Sequence, residues 1–366
     1  MDKLPIESVE IKVLEVPLKD QWQISYYAAR TRRHLLVRIK AGDVVGYGEV
    51  SPSPGFMGEE AKQVGLVITE YLAPRLIGTN LFDVERIHQQ MNEAIYGNGS
   101  AKSAVDIAVH DAIGKALQIP LYQYLGGLYR SKAPVTWVAS IKDYSSVSEE
   151  IRQFLALGVT TFKLKVGKSP ERDLEVLARV RSEFGTEIRI RIDANQGYSF
   201  DEAIKVLRRM EKFDIESIEQ PVKAHDLDGM CRIAEALDTP VMADESLFYL
   251  HSAVEIARRR AADLFNIKIG KVGGLLPARK IAAVAEAAGI PCTVGSNLEL
   301  SVGTAASVHF ACSTPNVTYA SDLAIGHYLH EYDIVKEPVC IDDGHVAAMQ
   351  QHGLGVSLLD EYDCWS

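Results

Sequence analysis

The sequence predicts an α/β protein: a (β/α)8 TIM-type barrel carrying an N-terminal α+β capping domain completed by the C-terminal segment. Three observations predict it. From about residue 135 a unit of short β-branched run, loop and amphipathic helix recurs eight times. The runs are almost continuously apolar, as parallel strands buried on both faces require. Acidic residues also close three successive runs, Asp193, Glu219 and Asp244, at intervals of 219 − 193 = 26 and 244 − 219 = 25 residues. That interval is the length of one strand, one helix and two loops, which sets the three carboxylates at the same end of neighbouring strands.

Residues 1–130 form the expected cap. Three alternating runs, Ile6 to Val16, Leu35 to Ile39 and Val44 to Glu49, precede helical segments near 59–73, 82–94 and 101–117. Barrel strands are expected at 135–140, 161–166, 188–193, 215–219, 240–243, 263–268, 292–295 and 317–321, within a catalytic domain spanning 131–334. Between them, stretches such as Glu202 to Phe213 and Ala278 to Ala288 show the three-to-four apolar spacing of an outer helical ring. Residues 335–366 return to a strand-like pattern at Val339 to Ile341 and Gly355 to Leu358, and are expected to fold back onto the cap. The loops Trp22 to Arg30 and Pro52 to Glu60 are expected over the barrel mouth, where active sites of this fold lie.

The 366 residues carry a net charge of −10 with no basic tract, which argues against nucleic acid as a partner. No run approaches the ~20 apolar residues that span a bilayer, and the N-terminal residues lack a signal core, so no membrane association and a cytoplasmic location are expected. Five widely spaced cysteines match neither a disulfide framework nor a zinc motif.

Three converging carboxylates are an oxygen-only ligand set suited to Mg²⁺, with Mn²⁺ possible. Helix capping would explain an Asp after a strand but not Glu219, nor the lysines that flank the trio. Lys165 closes strand 2 and Lys268 closes strand 6, diametrically opposed in a ring of eight, so that a substrate held between them meets one amine on each face. Lys163, two residues before Lys165, points the same way and is expected to support it; Asn195 and Glu245 are expected to orient the ligands or lysines. A Schiff-base aldolase lysine at Lys268 is a rival reading, although such an enzyme needs no aligned carboxylates. A non-catalytic carboxylate-binding barrel is another. His110, His309, His327 and His330 have no metal-ligand spacing and are expected in structural or solvent roles.

Lys163-Leu-Lys165, Asp193-Ala-Asn195-Gln, Glu219-Gln-Pro, Ala-Asp244-Glu245-Ser and Lys268-Ile-Gly-Lys-Val-Gly-Gly, in this order, together resemble the enolase superfamily in its muconate lactonizing enzyme subgroup. Ala101-Lys-Ser-Ala and Leu125-Gly-Gly resemble the subgroup's cap. The resemblance implies Mg²⁺ on Asp193, Glu219 and Asp244, Lys165 and Lys268 as acid and base, and a metal-stabilised enolate of a small-molecule carboxylate. It also implies a homo-oligomer. Lys268 stands where the mandelate racemase branch has a His-Asp pair. The activity implied is an isomerase most like muconate cycloisomerase; racemisation or epimerisation of N-acyl amino acids or dipeptides, or an o-succinylbenzoate synthase-like dehydration, are the alternatives. Strand 8 reads Ser321-Asp322-Leu-Ala, with one acid where dipeptide epimerases have Asp-x-Asp and without the aromatic of muconate cycloisomerases. Candidate substrate contacts are Tyr26, Trp137, Ser296, Glu299 and Asp322.

Overall fold

The computed structural model describes residues 3–365. Alternation near the N-terminus yields an antiparallel meander of β1 (Ser8–Gln23), β2 (Ala28–Ala41) and β3 (Val44–Val50). The first two strands outrun their expected lengths because Trp22 pairs with Ala29 and Gln23 with Ala28 beyond a register shift, which reduces the expected loop at 22–30 to a tight turn. The helix Gly99–Leu117 lies against β3 so closely that a Cβ on Gly48 would fall 2.0 Å from the Ala104 carbonyl oxygen. Small residues on both sides thus set the sheet-to-helix spacing. Leu35, Val37 and Ile39 of β2 pack with Ile68, Leu72, Ile87 and Met91 to form the cap core.

The barrel begins after β4 (Lys132–Pro134). Seven parallel strands follow: β5 (Thr136–Ala139), β6 (Thr161–Lys165), β7 (Arg189–Asp193), β8 (Ile215–Glu219), β9 (Val241–Ala243), β10 (Leu264–Ile267) and β11 (Cys292–Val294), hydrogen-bonded in chain order. The eighth position, expected as a strand at 317–321, is filled by chain that bridges Cys292 at Val317 and Val135 at Ser321. The amides of Thr318 and Tyr319 both turn to the Cys292 carbonyl, which interrupts a regular ladder. The ring still closes: Thr136 N donates to Ser321 O at 2.8 Å and Asp322 N to Val294 O at 2.8 Å.

Alternation divides each strand between bore and helices. Phe162, Ile190, Ile192, Ile218, Phe265 and Ile267 are buried outward in the main hydrophobic core. The helix Phe200–Met210 meets that core with Ala203, Val206, Leu207 and Met210, each large apolar side chain contributing about 1.5–3 kcal/mol on burial. Inside the bore, Arg191 donates to Glu216 at 2.5 Å, to the Ala320 carbonyl at 2.7 Å and to Thr136 at 3.2 Å.

Of the expected C-terminal strands, neither 339–341 nor 355–358 forms a ladder; Leu358 makes one bridge to Val335, and β12 (His345–Ala347) pairs with β4 instead. The chain then returns to the cap, where Lys12 donates to the Tyr362 carbonyl at 2.9 Å and Trp365 stacks on Tyr47. Among the described residues no helix is long and apolar enough to cross a membrane.

Candidate active site

The inward positions at the C-terminal ends of the strands carry the charge. Asp193, Glu219 and Asp244 offer oxygens that all lie within 4.8 Å of one another, and all three side chains are buried. Each oxygen has a donor. Asn195 N meets Asp193 Oδ1 at 2.8 Å and Lys165 Nζ meets its Oδ2; Asn266 Nδ2 and Lys163 Nζ meet Glu219 at 2.7 and 2.9 Å. Lys271 and Lys268 each meet Asp244 at 2.7 Å. A carboxylate oxygen holds two lone pairs, so the trio retains acceptor capacity toward its common centre.

Burial of so much like charge has consequences for proton affinity. Burial and the Asp193 charge push the Glu219 carboxyl up to about 7; burial with Asp244 and Asp193 pushes Glu245 up to about 8. Against its own burial, Asp244 is held well below the usual carboxylate range by Lys268 and Lys271. Lys163 and Lys268 are raised despite burial, the first by Asp322 and Glu219, the second by Asp244 and Glu219. Lys271 is lowered by burial.

The trio fits a divalent cation on three counts: the oxygen-only donor set, the convergence within 4.8 Å, and buried acceptors without partners close by, Glu245 Oε2 and Asn195 Oδ1. These two residues are joined by a 3.1 Å bond from Asn195 Nδ2 to Glu245 Oε1. Gln220 supports the cradle from outside, its Oε1 accepting from the amides of Asp244 and Ser246 at 3.1 Å.

The cap reaches this site from both expected loops. Ser25 Oγ donates to the Asn195 carbonyl at 3.0 Å, and Tyr26 feels burial and the charges of Glu245, Asp193 and Asp244, which raise its hydroxyl pKa. Phe56 places its ring 4.3 Å from Lys268 Nζ, and Asn297 Nδ2 contacts Met57 Sδ at 3.5 Å.

Other expected contacts lie differently. Ser296 Oγ is turned to Glu299 Oε2 at 2.7 Å, with Asn297 N on the same oxygen at 2.8 Å, so this pair braces its own loop. Asp322 faces the bore but is tied to Lys163 at 2.5 Å. Trp137, expected on the pocket wall, points outward. Thr136 beside it faces Arg191 in the bore, so alternation sends the indole to the helices, where it stacks on Phe154 and donates to Glu150 at 3.1 Å. Lys163 lies between Glu219 and Asp322, at ion-pair distance from each.

Four contributors went unread in the sequence: Lys271, Asn266, Phe56 and Gly295. Asn266 had a signal, lying two residues before Lys268 on one strand face. Gly295 had none: a Cβ there would sit 2.3 Å from Asn266 Oδ1 and 2.7 Å from Lys268 Cε, so its bareness is what lets Lys268 through.

Residues 8–126 match the mandelate racemase / muconate lactonizing enzyme N-terminal domain, and residues 146–362 match the enolase C-terminal domain-like family. The chain belongs to the enolase superfamily, in its muconate lactonizing enzyme subgroup. It is 37% identical over 317 residues, 86% of each chain, to the N-succinyl-L-Arg/Lys racemase of Bacillus cereus. It is 33% identical to Muconate cycloisomerase 1 of Rhodococcus opacus over 372 residues, all of both chains. The muconate lactonizing enzyme of Pseudomonas fluorescens, solved with muconolactone, superposes with a TM-score of 0.95 at 31% identity, covering 98% of each chain. These enolase superfamily relatives are isomerases, and the present chain is an isomerase of that superfamily.

Proposed function

We propose that this isomerase racemises an N-acylated amino acid, using Mg²⁺ on Asp193, Glu219 and Asp244, with Lys165 and Lys268 as the two proton-transfer groups. The observation that carries the reading is that the two lysines pair with different members of one carboxylate trio, Asp193 and Asp244, and so flank it. Bound Mg²⁺ would supply positive charge that stabilises the negative charge developing on the substrate carboxylate as its α-proton leaves.

Everything else is the work of side chains. Lys165 and Lys268 exchange roles with the direction of reaction: one, neutral, accepts the α-proton while the other, as ammonium, returns a proton to the opposite face. In the metal-free protein Asp244, 2.7 Å from Lys268 Nζ, raises the proton affinity of Lys268, and Lys268 is the donor in one direction. Lys163 occupies the strand-8 acid Asp322, so a free substrate ammonium finds that carboxylate taken. An acylated nitrogen, carrying no charge, suits the site better. Phe56 and Tyr26 at the mouth offer apolar surface to the amino-acid side chain.

Cycloisomerisation of a muconate is the second reading, favoured by the full-length similarity to Muconate cycloisomerase 1, and it needs proton transfer from one lysine only. Proton NMR in D₂O with Mg²⁺ separates the two. The racemase reading expects exchange of the α-proton of N-acyl amino acids, abolished by EDTA. A muconate converted to a lactone with one deuterium, and no exchange from N-acyl amino acids, would replace it by the second.

A further inference from the structure

His34 on β2, Glu49 on β3 and His330, just past the helix Ile325–Leu329, meet where the cap sheet lies on the barrel, and all three are fully buried. The β2–β3 register, with Leu36 opposite Glu49, sets His34 and Glu49 diagonally on one sheet face. A bridge from Leu18 to His330 brings the chain beyond the eighth barrel position onto β1. Three contacts then run in line. His330 Nδ1 lies 2.7 Å from the Gly326 carbonyl oxygen, His330 Nε2 lies 3.1 Å from His34 Nε2, and His34 Nδ1 lies 2.8 Å from Glu49 Oε1.

Each contact requires one proton. A carbonyl only accepts, so His330 Nδ1 carries an N–H. Two bare nitrogen lone pairs facing each other repel, so one of the two Nε2 atoms carries a second. The carboxyl-to-imidazole contact takes a third, from whichever side. An ionised glutamate and two neutral imidazoles bring only two.

We infer that Glu49, His34 and His330 form a buried proton-binding site, and that the extra proton it holds fastens the cap sheet to the barrel. With that proton the cluster is uncharged, whichever group bears it, and burial of a neutral cluster avoids the cost of an unpaired buried charge. Glu49 is anchored on its far side as well, its oxygens accepting from Leu300 N and Gly303 N at 2.8 Å each. Burial pushes the Glu49 carboxyl up to about 8 and both imidazoles down to about 3, which favours the carboxyl as the bearer.

The charged and titratable groups facing the cluster are Arg32 from β2, Asp333 from the chain after His330, with His327 beyond it at 3.8 Å from Asp333, and Glu299 ahead of the helix Ser301–Ser313. Asp333 is held by Ser301 Oγ at 2.7 Å and Ile334 N at 2.7 Å, Arg32 by Ser51 and the Asn297 carbonyl, and Glu299 by Ser296. No hydrogen bond joins any of them to the three. The sign of the linkage follows: the folded carboxyl binds its proton more tightly than an unfolded one, so its stabilisation is complete below the ordinary carboxylate range and is lost as pH rises through about 8.

Neutron diffraction from crystals of the Mg²⁺-loaded protein, grown near neutral pH in D₂O, counts the protons. Three deuterons along the line are expected; two, with facing bare nitrogens or a displaced ring, would overturn the inference. The variant His330→Gln supplies a second, independent reading, because an amide N–H can donate to His34 Nε2 and remove the need for the extra proton. Between about pH 5 and 8 the Mg²⁺-loaded wild type is expected to lose about 1–3 °C of Tm per pH unit more than this variant. Parallel Tm curves would overturn the fastening role. Should the variant fail to fold, the deuteron count still decides.

Discussion

Two buried clusters of charge behave in opposite ways. At the seam between the helices Gly99–Leu117 and Leu275–Ala287, Asp106 accepts from His88 at 2.6 Å and from Leu275 N at 2.5 Å, with His110 3.3 Å away. One carboxylate is enclosed by donors, and no second acid competes for them. At the barrel mouth three carboxylates converge, four lysine side chains meet them, and Glu245 Oε2 and Asn195 Oδ1 lack partners. Burial and charge are common to both clusters. Convergence of like charge together with unpartnered acceptors marks the one whose oxygen-only donor set suits a cation.

The largest effects are expected at the mouth. Lys165→Ala and Lys268→Ala are each expected to cut racemisation by about 10²–10⁴-fold or more, with the far-UV circular dichroism unchanged. Full activity in either would end the two-lysine assignment. Gly295→Ala should act through position alone. Forced aside by a Cβ 2.7 Å from its Cε, Lys268 loses its alignment, and a displacement of about 1 Å costs on the order of 10²-fold in kcat, a loss read from kcat of the folded variant with its far-UV circular dichroism unchanged.

At the seam the effect should reverse, with stability lost and chemistry kept. Asp106→Ala removes the acceptor of two histidines and an amide and is expected to cost about 3–5 kcal/mol in chemical denaturation, with kcat at low temperature close to wild type. A fall in kcat matching that of the lysine variants would erase the distinction between the two clusters.

A subtler test is pH. Glu219 is raised above its unfolded value to about 7, so in metal-free protein its stabilisation is present below the ordinary carboxylate range and is lost as pH rises through about 7, by about 1.4 kcal/mol per pH unit while it titrates. Saturating Mg²⁺ should flatten that limb, because a cation favours the ionised carboxylate. Denaturation with and without Mg²⁺ between about pH 5 and 8 compares the two curves, and identical slopes would count against Glu219 as a ligand. The smallest effect belongs to Trp137→Phe, which forfeits a bond to Glu150 worth about 1–3 kcal/mol but should leave kcat unaltered, the ring being directed away from the bore.

Much of this was legible in advance because a parallel barrel repeats. Regular spacing places Asp193, Glu219, Asp244, Lys165 and Lys268 on successive strand ends without any knowledge of tertiary contacts. What lay outside the pattern was of two kinds. Trp137 needed the phase of alternation on its strand, which Thr136 and its bond to Arg191 reveal only in three dimensions. Lys271 and Phe56 reach the site from a short helix after β10 and from the cap, so strand spacing says nothing about them. The interrupted eighth strand has a similar cause. Its β-branched residues read as a strand, while the local ladder is broken by two amides sharing the Cys292 carbonyl.

The contact of Lys163 with both Glu219 and Asp322 constrains how this chain can diversify. The last barrel position would be a natural place to accommodate a new substrate, yet any exchange of Asp322 releases Lys163 to lean wholly on Glu219. Innovation at that position therefore carries an immediate penalty to the carboxylate cradle. The cap loops around Tyr26 and Phe56 supply none of the three converging carboxylates, so mutational drift there leaves the carboxylate cradle in place, and descendants of this chain with altered preferences should differ there first.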